Sequence, residues 1–194
     1  MNEEKRNVLV VVDMQVDFVT GALGSKEAQN IIPEIKFRIE KFKKENPEGM
    51  LLFTMDTHDK NYLQTQEGRN LPIKHCIKGT PGWELIPELQ DYSLSNNPNI
   101  TAVDGYVYEK TTFGSLDLAG DIATMQNHLA SVELVGVCTD ICVISNALLI
   151  KANCPELPVS VNGSCCAGVT PSKHLAALEA MRSCQINIVG GELK

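Results

Sequence analysis

Four stretches of the chain end in residues able to do chemistry. They run Asn7-Val-Leu-Val-Val-Val-Asp13, Met50 to Asp56 with His58 just beyond, Tyr106 to Lys110, and Glu133 to Cys142. A thiol becomes a nucleophile when a base takes its proton, and that base must return a proton to the leaving group. A cation nearby stabilises both the thiolate and the ionised carboxylate. Asp13, Lys110 and Cys142 supply these three groups. Each residue also has an ordinary reading. Free cysteine is among the most buried residue types, an aspartate after a strand caps a loop or helix, and strand-end lysines are mostly solvated. The combination is what points to covalent catalysis.

Bringing residues more than a hundred positions apart to one place is work for the fold. Asn7 to Asp13 and Met50 to Met55 are continuous apolar runs, the pattern of strands buried on both faces of a parallel sheet. Asp104 to Tyr108 reads as the third strand, Leu134 onward as the fourth, Pro158 to Asn162 as the fifth and Ile186 to Val189 as the sixth. Between them, helices are expected over Lys26 to Lys44 (with Ser25 as its cap and Pro33 as an alternative start), Trp83 to Leu89, Leu116 to His128 and Ser172 to Met181. Strands and helices alternate throughout, which predicts an α/β fold: an open, mostly parallel six-stranded sheet with helices on both faces, in one domain spanning residues 1–194. In such a sheet the carboxyl ends of the strands share one edge, where ligands bind. Thr139-Asp140 is expected to cap the helix that opens at Cys142, so that Cys142 lies in its first turn. There the helix dipole and free N–H groups stabilise a thiolate and a developing oxyanion.

Composition narrows the partners. A net charge of −7 speaks against nucleic acid or an anionic membrane as the main partner. No apolar run approaches the roughly 20 residues that span a bilayer. The first residues lead straight into a strand without a signal-peptide core, and a cytoplasmic protein is the expectation. Seven cysteines make an odd count with no Cys-x-x-Cys pair, so a disulfide framework is not expected. Asp56 and His58, at i and i+2 on extended backbone, point the same way and open a long polar stretch that also carries Glu67 and His75. These are O/N ligand types for Zn²⁺, Mn²⁺ or Fe²⁺, although spacing alone fits a chance scatter of loop residues equally well.

Three segments together resemble the isochorismatase-like cysteine hydrolases, and within them the nicotinamidases. They are Asp13-Met-Gln15-Val-Asp-Phe18, Lys110-Thr-Thr-Phe113 and Gly136-Val-Cys-Thr-Asp-Ile-Cys142-Val. The resemblance implies Cys142 as nucleophile, Asp13 as general base and acid, and Lys110 as third member of a triad. It implies a cis peptide before Cys138, with the backbone N–H groups of Cys138 and Cys142 as the oxyanion hole. It also implies one divalent metal ion, zinc first with manganese or iron as alternatives, on Asp56, His58, Glu67 and His75, holding the pyridine nitrogen of nicotinamide. Phe18 and Phe113 match aromatic substrate contacts. Leu71 stands where nicotinamidases usually have an aromatic, a departure that bears on substrate identity. The implied partner is a small amide, hydrolysed through a thioester on Cys142; the family's members often form dimers or larger assemblies, so a homo-oligomer is open, but no residue here fixes it. The alternative is a metal-free relative acting on another small amide, carbamoyl or vinyl-ether substrate. A non-catalytic binding module would have no need of all three triad residues.

Overall fold

The computed structural model describes residues 5–93 and 105–191. Six strands form one sheet: β1 (Arg6–Val12), β2 (Met50–Asp56), β3 (Tyr106–Lys110), β4 (Leu129–Val137), β5 (Val159–Ala167) and β6 (Asn187–Val189), in the spatial order β3-β2-β1-β4-β5-β6. Every pairing is parallel, where the sequence had suggested a mostly parallel sheet. Its helices are α1 (Val16–Val19), α2 (Lys26–Asn30), α3 (Ile32–Glu45), α4 (Gln66–Asn70), α5 (Pro87–Gln90), α6 (Leu116–Met125), α7 (Ile144–Asn153) and α8 (Pro171–Ser183). No helix among the described residues is long and apolar enough to cross a membrane.

β1 shows why the sheet is sandwiched. Val8, Val10 and Val12 pack with α6, α7 and α8 through Leu118, Ile122, Ala147, Ile150 and Met181. Leu9 and Val11, the alternate residues, pack on the other face against Ile35, Ile39 and Phe42 of α3 and Leu89 of α5. All five β1 side chains are at most 1% exposed, and full burial of a Val or Leu is worth about 1.5–3 kcal/mol. A parallel strand covered on both faces has no polar side to show, hence the unbroken apolar run.

Several boundaries move. The helix expected over Lys26 to Lys44 is two helices, divided at Ile31; Ser25 caps only the first, accepting from Ala28 N, and Pro33 sits in the first turn of the second. The helix expected at Trp83 to Leu89 is confined to α5, because Gln15 pairs with Leu85 in a short antiparallel bridge. The helix expected to reach His128 ends at Met125 in a 3₁₀ turn. β3 runs to Lys110; of the span expected for it, Asp104 lies outside the described residues. β4 starts five residues before Leu134, and β5 continues five beyond Asn162.

Register aligns the chemistry. Val12 pairs with Thr54 on one side and with Gly136 on the other, and Asp56 pairs with Lys110. The chain leaves β1 for β2 on one side and returns later as β4 on the other, so the ends of β1 and β4 frame the point where strand order reverses. Gly136 is required there: its φ is +118° and a Cβ would fall 2.2 Å from the Val12 carbonyl oxygen. The Val137–Cys138 peptide that follows is cis.

Candidate active site

Asp13 leaves β1 with a positive φ of 48°, a conformation a non-glycine residue adopts at a cost of about 1–3 kcal/mol when its surroundings hold it. Its N–H bonds the Thr54 carbonyl, and the Thr54 hydroxyl donates to Oδ1 at 2.7 Å. Oδ2 meets Lys110 Nζ, also at 2.7 Å, and the same ammonium lies 3.7 Å from Cys142 Sγ. Asp13, Lys110 and Cys142, named from sequence, are thus brought together, all at most 5% exposed.

The electrostatics suit a resting thiol with a base beside it. Burial, then the Asp13 charge, holds the Cys142 thiol well above its usual range despite Lys110. Burial also lifts the Asp13 carboxyl, more than Lys110 pulls it down. Burial works against the Lys110 ammonium, but Asp13 and Cys142 raise it overall, so it stays cationic. A thiol kept protonated gives up its proton only as it attacks, and a raised carboxylate is the stronger base for taking it.

Cys142 does not lie in a capped α-helical first turn. Residues Thr139–Val143 form a wide π-type turn that runs into α7, and the residue before it is Cys138, without a side-chain cap. The Cys138 carbonyl accepts from the N–H groups of Ile141 and Val143, at 3.0 Å each. Thr139 and Asp140, expected as caps, instead bond outward: the Thr139 hydroxyl to His174 Nδ1 at 2.8 Å, and Asp140 Oδ1 from Val169 N at 2.9 Å. His174 is half-buried. Cys165 and Cys166 are unbonded to each other and pack on opposite faces of the sheet.

Next to the triad, one ligand atom each from Asp56, His58, Glu67 and His75 lies within 4.8 Å of the others. Asp56 Oδ2 is 2.9 Å from His58 Nε2 and 3.5 Å from His75 Nε2; Glu67 Oε1 is 3.5 and 3.7 Å from the same two nitrogens. Tetrahedral ligands on a cation with bonds of about 2.1 Å stand roughly 3.4 Å apart. His58 Nε2 is buried without a well-directed hydrogen bond, and His75 Nδ1 lies 2.8 Å from the Ile73 carbonyl, which fixes the tautomer and turns Nε2 inward. Burial opposes charge on His58, yet the carboxylates of Asp56 and Glu67 beside it raise it to about 9. Burial likewise works against the Asp56 carboxylate, but His58, His75 and Lys110 bring it below the usual range. The residues therefore fit a divalent cation.

Several supports were not legible beforehand. Gln15 accepts from Asp56 N at 2.7 Å and donates to the carbonyls of Asp56 and Trp83, locking the first ligand's backbone. Tyr62, fully buried, packs against both histidine rings at 4.6 and 4.9 Å and donates to the Leu71 carbonyl. Glu67 is presented by α4, where Gly68 passes so close to Tyr62 that a Cβ would lie 2.0 Å from its carbonyl oxygen. Asp17 accepts from Cys76 N at 2.8 Å, tying the residue after His75 to α1. Asn146 bonds the carbonyls of Cys142 and Phe113. Gln15 and Asp17 stand inside the Asp13 to Phe18 motif, but their partners, Asp56, Trp83 and Cys76, come from distant segments.

A pocket of about 410 Å³ opens over both groups, within the range of small-molecule sites. Cys138 and Cys142 line it on one side, Asp56, Glu67 and His75 on another; Phe18, Leu71 and Phe113 all form apolar wall. Phe18 stands 5.5 Å from the His75 ring, and Phe113 is at the rim, 47% exposed.

An all-parallel sheet with a cysteine, an aspartate and a lysine at its carboxyl edge defines an α/β protein equipped for thiol chemistry. The family model described as "Isochorismatase domain" matches residues 7–192. An isochorismatase family protein of Bacillus subtilis (strain 168), PncA, is 31% identical over 152 residues, covering 74% of this chain and 77% of that protein. The chain belongs to the isochorismatase family and is a hydrolase of it. Among solved structures, a pyrazinamidase/nicotinamidase from Streptococcus mutans UA159 superposes with a TM-score of 0.80 at 28% identity, covering 94% of this chain and 99% of that one. The pyrazinamidase of Pyrococcus horikoshii in complex with zinc gives 0.76 at 29% identity, over 95% and 98% of the two chains.

Proposed function

We propose that this hydrolase is a metal-dependent nicotinamidase, converting nicotinamide and water to nicotinate and ammonia through a thioester on Cys142. The observation that carries the reading is one pocket lined both by Cys142, which Lys110 links to Asp13, and by Asp56, Glu67 and His75 of the four-ligand cluster. Asp13 takes the Cys142 proton as sulfur attacks the amide carbon, and Lys110 compensates the charge. The backbone N–H groups of Cys138 and Cys142 receive the oxyanion. Asp13 protonates the departing ammonia, then takes a proton from the water that hydrolyses the thioester, returning the thiol and nicotinate.

Asp56, His58, Glu67 and His75 would hold the ion, zinc being the metal named for the Pyrococcus horikoshii structure. Bound there, a divalent cation would supply a Lewis-acid anchor for a ring nitrogen of the substrate. Phe18, Leu71 and Phe113, which line the pocket, would form the apolar walls for the ring. Ammonia release from nicotinamide by the purified protein tests the reading. Turnover by the wild type and its loss in folded Cys142→Ala is the expected pair; a retained rate in that variant would sink the nucleophile assignment.

A further inference from the structure

The π-type turn that carries Cys138 and Cys142 is gripped from behind by the start of α8. Thr139 is 0% exposed, and its hydroxyl lies 2.8 Å from His174 Nδ1. Thr139 Oγ1 and His174 Nδ1 share this hydrogen bond, in a direction set by the ring's tautomer. Burial lowers the pKa of His174, which favours the neutral ring. The next residue, Asp140, takes the Val169 N–H. Gly168 is packed so tightly that a Cβ would lie 2.8 Å from Asp140 Oδ1 and 2.9 Å from His174 N. Two successive side chains therefore pin the turn to the segment 168–174, of which Gly168, Val169 and Lys173 also line the pocket.

We propose that His174 is a positioning residue for the oxyanion-forming turn: through Thr139 it holds the Cys138 N–H where the tetrahedral oxyanion develops. It lies outside the pocket lining and reaches the turn through that hydroxyl. The role rests on the Cys142 chemistry proposed above. A donor displaced by a fraction of an ångström still lets substrate bind but stabilises the transition state less, so the effect falls on kcat.

His174→Leu removes the hydrogen-bonding ring and keeps apolar bulk, His174→Asn restores a polar group near the Nδ1 position, and Thr139→Val exchanges the hydroxyl for a methyl. Three readouts separate positioning from general damage. The first is ammonia release, where His174→Leu should lower kcat by about 10–100-fold with KM within about threefold, less than deleting a donor outright. The second is alkylation of Cys142 by iodoacetamide, a displacement that forms no oxyanion and whose rate should not change. The third is amide hydrogen exchange of the 138–143 peptide, which should quicken about tenfold for one lost hydrogen bond. His174→Asn should recover most of kcat, and the double variant with Thr139→Val should be no worse than either single one. Unchanged exchange in folded His174→Leu would overturn the proposal, as would a matching fall in the alkylation rate. Should His174→Leu fail to fold, Thr139→Val carries the same test. If the wild type releases no ammonia, the functional reading fails, and the exchange measurement still decides whether His174 holds the turn.

Discussion

Lys110 Nζ stands 3.5 Å from Asp56 Oδ1, so the ammonium that pairs with Asp13 also faces a carboxylate of the metal cluster. The register pairing of Asp56 with Lys110 on neighbouring strands enforces this. One buried cation thus joins the thiol chemistry to the ligand cluster.

Removing that cation has separable effects. Lys110→Met leaves Asp13 buried and unpaired, and breaking a buried pair from one side costs about 3–5 kcal/mol. Denaturant unfolding should show that loss, and adding Asp13→Asn should restore most of it. Hydrolysis should fall by about 10²–10⁴-fold in either single variant and stay low in the double one. Zinc affinity, measured by competition with a chromophoric chelator, should not weaken in Lys110→Met, since the cation repels the metal.

Asp13 sets the acid side of the pH profile. Its carboxyl is raised by burial against the Lys110 charge, and the base form is the ionised one. Activity is therefore lost as pH falls through a value above the ordinary carboxylate pKa of 3.8, and kcat/KM against pH should show that limb. The thiol predicts the converse. Cys142 stays protonated past its usual 9.0, so its alkylation rate, followed by peptide mass spectrometry, should still be climbing at pH 9. A plateau near neutral pH would mean a preformed thiolate.

Gln15 makes three hydrogen bonds to buried backbone around Asp56 and Trp83. Gln15→Met strands those groups at about 1–3 kcal/mol each. With the first ligand's backbone released, zinc affinity should drop about 10–100-fold, the range for losing an outer support of a metal ligand. Isothermal titration of the metal-free protein reads this directly.

Leu71 gives an apolar wall without a ring face. Leu71→Ala removes up to three carbons at about 0.8 kcal/mol each where fully buried, and Leu71 is partly exposed, so KM for nicotinamide should rise about 3–10-fold with kcat little changed. Leu71→Phe should lower KM. If both leave KM as it was, Leu71 does not touch the substrate.

The residues most legible in the sequence were those closing apolar strands, because a parallel sheet forces its polar groups to the strand ends. Asp13, Asp56 and Lys110 stand out for that reason. Strand limits were less visible wherever tertiary pairing covers a polar residue. β4 extends back through Glu133 because Arg38 clasps that carboxylate at 2.8 and 2.7 Å. β5 passes through Gly163, where a Cβ would meet Gly191 at 2.9 Å. The link from His174 to Thr139 is invisible in the sequence, since the two are 35 positions apart. Tyr62 lay hidden in a polar stretch without periodicity, and only the folded loop sets it between His58 and His75.

The central claim is that thiol and metal cluster serve one reaction. Its most direct test is ammonia release from nicotinamide before chelation, after chelation, and after zinc add-back. The account predicts turnover that chelation removes and metal restores, with iodoacetamide blocking the restored activity. Turnover that persists after the cluster is emptied would contradict it.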